Sequence, residues 1–263
     1  MSGGSRMRAI TLCYHDILCD GDARRSGFQS PGAETYKLPL ATFRSHLRAI
    51  ERGGRSEAYA VRLTFDDGGS GAMCAAEALE QAGLRGHFFI STGLIGKAGF
   101  LGAPQIAELS ARGHTVGAHG VTHVGKMNRM ADEHLLREWT ESVRALAEII
   151  NAPVVTASVP SGFYSRRVAR AAAAAGLRQL FTQVPTTRRA EVYGCEVLGR
   201  FTIRAWTPPS RVSALTRGAL RPRIAAALSW RTRQLVKMVA GSAYGELRRA
   251  VLQRRSSTIS VRS

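Results

Sequence analysis

No stretch of this chain stays apolar for the roughly twenty residues that a membrane-spanning helix needs. The amino terminus, MSGGSRMRAITLCYHDIL, has a basic flavour but lacks the apolar segment of a secretory signal. The expectation is a protein made and kept in the cytoplasm. Cysteine is scarce: Cys13, Cys19, Cys74 and Cys195 are too few and too scattered for a disulfide framework, and none has the C-x-x-C spacing of a zinc knot. They are expected as reduced thiols. Histidine is absent after His134, so the last half of the chain offers no imidazole as ligand or proton carrier. Acids are also in short supply, 19 Asp and Glu against 37 Lys and Arg, for a formal net charge of +18.

What is present is enough to fold. With 263 residues and 44% hydrophobic content, the chain can form one large α/β domain or two small ones. The positive charge is concentrated at one end: from Arg200 onward 14 basic residues face the single acid Glu246. Such a segment fits attraction to an anionic membrane face, an acidic polysaccharide or nucleic acid, against the plainer reading of a solvated, Arg-rich surface. Nucleic acid ranks last, because the chain has neither a recognition-helix motif nor an aromatic-basic RNA-binding signature.

Strand and helix signals alternate. Strands are expected over 8–14, 61–65, 86–91, 114–118, 153–157, 178–182 and 196–203. Helices are expected over 40–52, 71–83, 104–112, 132–150 and 166–175, several of them closed by glycine. Alternation with short loops predicts a parallel sheet, open or closed into a barrel, whose site would lie at the carboxyl ends of the strands. After residue 203 the alternation stops, and basic helices are expected over 224–240 and 244–253, packed on the barrel or lying on a membrane surface.

Chemistry concentrates at strand ends. In Val61 to Gly68, VRLTFDDG, an apolar run delivers Asp66 and Asp67 into a glycine turn. Buried carboxylates are costly unless paired, metal-bound or used, although an Asx turn capping the next helix would also explain them. His119-Gly-Val-Thr-His123 sets two imidazoles four residues apart, where they could grip one cation. Two imidazoles and one carboxylate make a three-ligand site with an open position, and the second carboxylate could then act as general base.

TFDDG (64–68), GAHGVTH (117–123) and Ser158-Val-Pro-Ser-Gly162, in that order, resemble the first three motifs of the polysaccharide deacetylases, the NodB-homology or carbohydrate esterase family 4 group. The resemblance spans roughly residues 8 to 203. It implies a distorted (β/α) barrel of about seven strands over residues 1–205, followed by a basic helical C-terminal extension, 206–263. It also implies metal-dependent removal of an acetyl group, N-acetyl ahead of O-acetyl, from a sugar in an oligosaccharide, polysaccharide or glycolipid. Asp67, His119 and His123 match the metal ligands, with zinc expected first and cobalt, nickel or manganese as alternatives. Asp66 matches the general base. Pro160, Ser161 and Gly162 match the oxyanion and substrate loop, with the Ser161 N–H as donor.

Two parts of the family pattern are missing. Ser158 stands where the family has the Arg that orients its base, and no late His supplies a general acid. Arg200, at the end of the last expected strand, is the candidate to reach Asp66 instead, and His15, ending the first strand, is the candidate acid, against the plainer role of a packed histidine. The alternative to an enzyme is a catalytically impaired, metal-binding homologue that serves as a carbohydrate-binding module. The basic extension would add peripheral contact with an anionic membrane.

Overall fold

Every side chain of β1 (Arg8–Tyr14) beyond Arg8 is buried, the mark of a strand covered on both faces. The computed structural model describes residues 8–53 and 58–239. After β1 come the short β2 (Ile17–Leu18), α1 (Pro31–Glu34) and β3 (Leu38–Pro39), then α2 (Leu40–Arg52), β4 (Tyr59–Phe65), α3 (Ala72–Gln81), β5 (Gly86–Ile90) and α4 (Ala103–Ala111). β6 (Thr115–Ala118), α5 (Asp132–Ile150), β7 (Thr156–Ser158), α6 (Arg166–Ala174) and β8 (Gln179–Phe181) continue the alternation. β9 (Arg189–Val192), β10 (Cys195–Leu198), β11 (Phe201–Thr202), α7 (Pro209–Thr216) and α8 (Leu220–Val239) complete the described chain.

Nine strands form one curled sheet in the order β11-β1-β4-β5-β6-β7-β8-β10-β9, while β2 and β3 pair separately. Only β9, hairpinned onto β10, runs antiparallel. The expected barrel is therefore present as an open, distorted one. Registers align the carboxyl ends. Tyr14 lies opposite Phe65, Ile90 opposite Ala118, and Ser158 opposite Phe181, so the residues that follow each strand open onto one face.

Helices clamp the sheet by apolar stripes. In α5, Leu135, Trp139 and Leu146 are fully buried, and Asn151 ends the helix in the left-handed conformation that frees it to turn. Truncating Trp139 alone would cost about 3–5 kcal/mol.

Three expectations need amendment. The strand expected over 196–203 is interrupted at Gly199 and Arg200, giving β10 and β11. A side chain at Gly199 would sit 2.4 Å from the Val184 carbonyl, so only glycine lets the chain pass there. Cys19 and Cys74, expected as reduced thiols, are joined in a disulfide with Cα atoms 5.9 Å apart across 55 residues. The packing of β2 against α3 brings them together, which their spacing in sequence does not reveal. The extension expected from residue 206 begins inside the packed fold, because α7 buries Val212 and Leu215 in the core. The helix expected over 244–253 lies outside the described residues. Among those described, no helix is long and apolar enough to cross a membrane.

Candidate metal centre and active site

The turn after β4 puts Asp67 in the left-handed region (φ 78°), and the loop after β6 does the same to His123 (φ 52°). Ser161, after β7, shares it (φ 55°). These are three of the five non-glycine residues with positive φ among the described residues, and such backbone strain concentrates where function needs it. Its effect here is convergence. The Asp67 Oδ1 lies 3.3 Å from His119 Nε2 and 3.1 Å from His123 Nε2. One ligand atom from each residue fits within a 4.8 Å cluster.

The chemistry around the triad fits a cation. His119 Nδ1 lies 2.9 Å from the Ser158 carbonyl, which can only accept, so Nδ1 carries a proton and Nε2, 3.3 Å from Asp67 Oδ1, is the ring atom left to offer a cation. That is the arrangement by which a protein fixes an imidazole for metal binding. Although burial opposes it, the two imidazoles hold the Asp67 carboxyl well below the usual range. Burial alone would lower His123, but Asp67 lifts it above its ordinary value. A second cluster, Cys13, His15 and Asp66, also satisfies the distance test. It is the poorer cation site, because the Asp66 carboxylate is already occupied.

Its occupant is Arg200. Nη1 donates to Asp66 Oδ1 at 2.6 Å and Nη2 to Oδ2 at 2.8 Å, with both side chains buried. The guanidinium is fixed further by Nε to the Thr182 carbonyl at 3.2 Å and Nη1 to Thr64 Oγ1 at 3.1 Å. Ser158 Oγ donates to Asp66 Oδ1 at 3.0 Å and also contacts His119 Nδ1. Burial raises the Asp66 carboxyl, but Arg200 overrides it and holds the group down at about 2. The serine at the expected arginine position thus links Asp66 and His119, while the arginine arrives from the break between β10 and β11.

An open cleft of about 750 Å³ lies in front of the triad. Asp67, His119, His123, His15, Ser161 and Gly162 line it; Asp66, Arg200 and Pro160 do not, and stand behind this wall. His15 stacks on Tyr36 at 4.5 Å, and burial lowers its imidazole against the opposing pull of Asp67 and Asp66. Its neutral form is favoured before any reaction begins. Phe28 packs on the His123 ring at 4.6 Å.

Sequence reasoning missed Glu138. Its buried carboxylate accepts from the Val121 and Thr122 N–H groups, at 2.7 and 3.1 Å, and from Thr122 Oγ1 at 2.7 Å. It therefore holds the loop between His119 and His123. A lone acid on the buried stripe of the helix, three positions from Leu135 and next to Trp139, was the available signal. Also missed was the reach of α8, whose Trp230 and Arg233 line the cleft.

The family model described as polysaccharide deacetylase matches residues 53–180. No curated protein sequence matches the chain. Among solved structures, the Streptococcus pyogenes deacetylase PplD, in complex with acetate, is 19% identical with a TM-score of 0.61, covering 77% of this chain and 95% of its own. IcaB from Ammonifex degensii is 20% identical with a TM-score of 0.63, covering 81% and 98%. BC0361, a polysaccharide deacetylase from Bacillus cereus, is 17% identical with a TM-score of 0.66, covering 80% and 69%. At these identities the structures share the fold. The family match falls on the segment carrying TFDDG, GAHGVTH and the Ser158 loop, and over that segment this chain is similar to the polysaccharide deacetylases.

Proposed function

We propose that this protein is a metal-dependent hydrolase that removes an acetyl group, N-acetyl ahead of O-acetyl, from a sugar in glycan, polysaccharide or glycolipid assembly. The observation that carries the reading is the convergence of Asp67, His119 and His123 on one point at the strand ends of a deacetylase fold. A divalent cation held by these three, zinc first with cobalt, nickel or manganese as alternatives, would supply a Lewis acid for the acetyl carbonyl and acidify water. Asp66 is the proton acceptor, aimed by Arg200 and Ser158 so that its orientation is set before substrate arrives. The Ser161 N–H, which donates to no other described group, faces the developing oxyanion in the tight turn after Pro160, and Gly162 keeps that turn close to the cleft. His15 returns a proton to the leaving nitrogen. Since burial favours its neutral form, it must gain that proton during turnover rather than beforehand.

The test is direct. Purified full chain is stripped of metal, reconstituted with Zn²⁺ or Co²⁺, and assayed for acetate release over acetylated sugars. Release should depend on the added ion and vanish in Asp67→Ala and His119→Ala. No acetate from any substrate despite stoichiometric metal would sink the reading.

The sealing of Asp66 behind the cleft wall favours a second reading, a metal-binding homologue that binds carbohydrate without turning it over. Sugar binding with no acetate release would select it.

The exposed residues Leu220, Ile224, Leu228 and Leu235 fall within about 80° of arc on α8 at 3.6 residues per turn. With Arg221 and Arg231 on the same helix, this supports peripheral contact with anionic membrane. Flotation with anionic vesicles, compared with a chain truncated before residue 220, tests it. The expected cytoplasmic location now stands against the Cys19–Cys74 bridge, because disulfides persist in oxidising compartments. The redox state of that pair in cells decides between them.

A further inference from the structure

Four cations, Lys126, Arg129, Arg204 and Arg233, line the cleft in front of the triad, and the one carboxylate among its lining side chains is Asp67, already committed to the metal site. A neutral acetylated sugar has no use for them. Like charges gathered in one concave space repel each other and focus a positive field, and a cation at the triad would strengthen it. Lys126, Arg129 and Arg204 form no ion pair among the described residues. The cations also come from three separate parts of the chain: the loop after His123, the loop after β11, and α8. Arginine abundance on a surface does not by itself gather residues from three segments around one opening.

Arg204 is the most clearly arranged. Its guanidinium carbon lies 5.9 Å from the Tyr36 ring centre and 5.5 Å from that of Trp206. Aromatic faces hold it where a carboxylate would ordinarily do so, and such contact fixes the plane without consuming the N–H donors. None of those donors is used by another described group. A planar fork kept in place and left unspent matches the two oxygens of a phosphate or carboxylate.

We infer that the substrate is an acetylated sugar bearing an anionic group, a phosphate ester or a carboxylate, which Arg204 grips with help from Lys126, Arg129 and Arg233 while the acetyl group faces the triad. The inference rests on the deacetylase reading and names its substrate class. The anion contributes binding and register; it takes no part in bond making.

The experiment uses the full, metal-reconstituted chain and three probes: N-acetylglucosamine, N-acetylglucosamine 1-phosphate and N-acetylmuramic acid. The ratio of kcat/KM for an anionic probe over the neutral one should be about tenfold or more, as expected for one charge-assisted contact. It should shrink at least several-fold in Arg204→Gln and as salt is raised, and persist in Arg144→Gln, a charge-matched control on the exposed side of α5. Preference for the phosphate or the carboxylate probe identifies the group. Calorimetric binding of the same probes gives a readout independent of turnover. Turnover of the neutral sugar with no anionic advantage in rate or binding overturns the inference and leaves the deacetylase reading intact. Tight binding of an anionic probe, weakened by Arg204→Gln, without turnover of any probe does the reverse.

Discussion

Arg200 donates to both carboxylate oxygens of Asp66 across 134 residues of chain, a bidentate pair with both partners buried. Neither charge could be left alone there, and removing one partner of such a pair costs about 3–5 kcal/mol. Arg200→Ala should therefore lower stability by that order in denaturant titration. Arg200→Lys keeps the charge but loses the fork. It should fold, lose about tenfold or more in kcat, and move the acid limb of the pH–rate profile upward, because Asp66 is released from its depressed value near 2. An unmoved acid limb would remove Asp66 from the role of base.

Glu138→Gln tests the loop between His119 and His123. The amide keeps the shape but offers weaker acceptance to Val121, Thr122 and the Thr122 hydroxyl. Metal affinity should fall about 10–100-fold in competition with a chromophoric chelator, the usual size of effect for groups that orient ligands. Unchanged affinity would reduce Glu138 to a packing role.

Asp16 gives the pH prediction. Its carboxyl is buried and wedged against Gly27 and Gly69, accepts from Ser26 Oγ at 2.7 Å, and burial raises it to about 6. A group raised on folding favours the fold below its unfolded value and withdraws that support as pH climbs through the folded one. Wild type should thus lose ground relative to Asp16→Asn between about pH 4 and pH 6, by up to about 3 kcal/mol. Parallel stability curves for the two proteins over that window would contradict the assignment.

The Cys19–Cys74 bridge closes 55 residues, and removing such a link costs roughly 2–5 kcal/mol. Cys19→Ser with Cys74→Ser should melt lower than wild type by a margin that vanishes when both are measured in strong reductant. Equal melting in oxidising buffer, or two free thiols on alkylation of the unreduced protein beyond Cys13 and Cys195, would show that the bond does not form.

Where local pattern and tertiary role coincide, the sequence was readable. β1, α2 and α5 fall at their expected bounds because each carries an uninterrupted period of buried side chains. The convergence of Asp67, His119 and His123 was legible for the same reason: these residues sit in short motifs directly after strands. Arg200 was placed at the right strand end, but the break that aims it depends on Gly199 slipping past the Val184 carbonyl, a contact between distant segments. Ser158 read as a loss and proves to be a link between Asp66 and His119. Glu138, the disulfide and the cleft face of α8 were hidden because each acquires its meaning from a partner far along the chain, and period and propensity carry no information about such partners.

α8 presents Trp230 and Arg233 to the cleft and Leu220, Ile224 and Leu228 to the outside. A rigid helix cannot be engaged on one side without its position being restricted on the other. If lipid captures the outer row, the sugar site must be tuned by the same free energy with which a bound sugar tightens lipid capture, since coupling between two equilibria is reciprocal. The helix would then act as a toll shared by two ligands: an enzyme resting on a bilayer and one free in solution should differ in KM, and saturating substrate should draw the protein onto vesicles in equal measure.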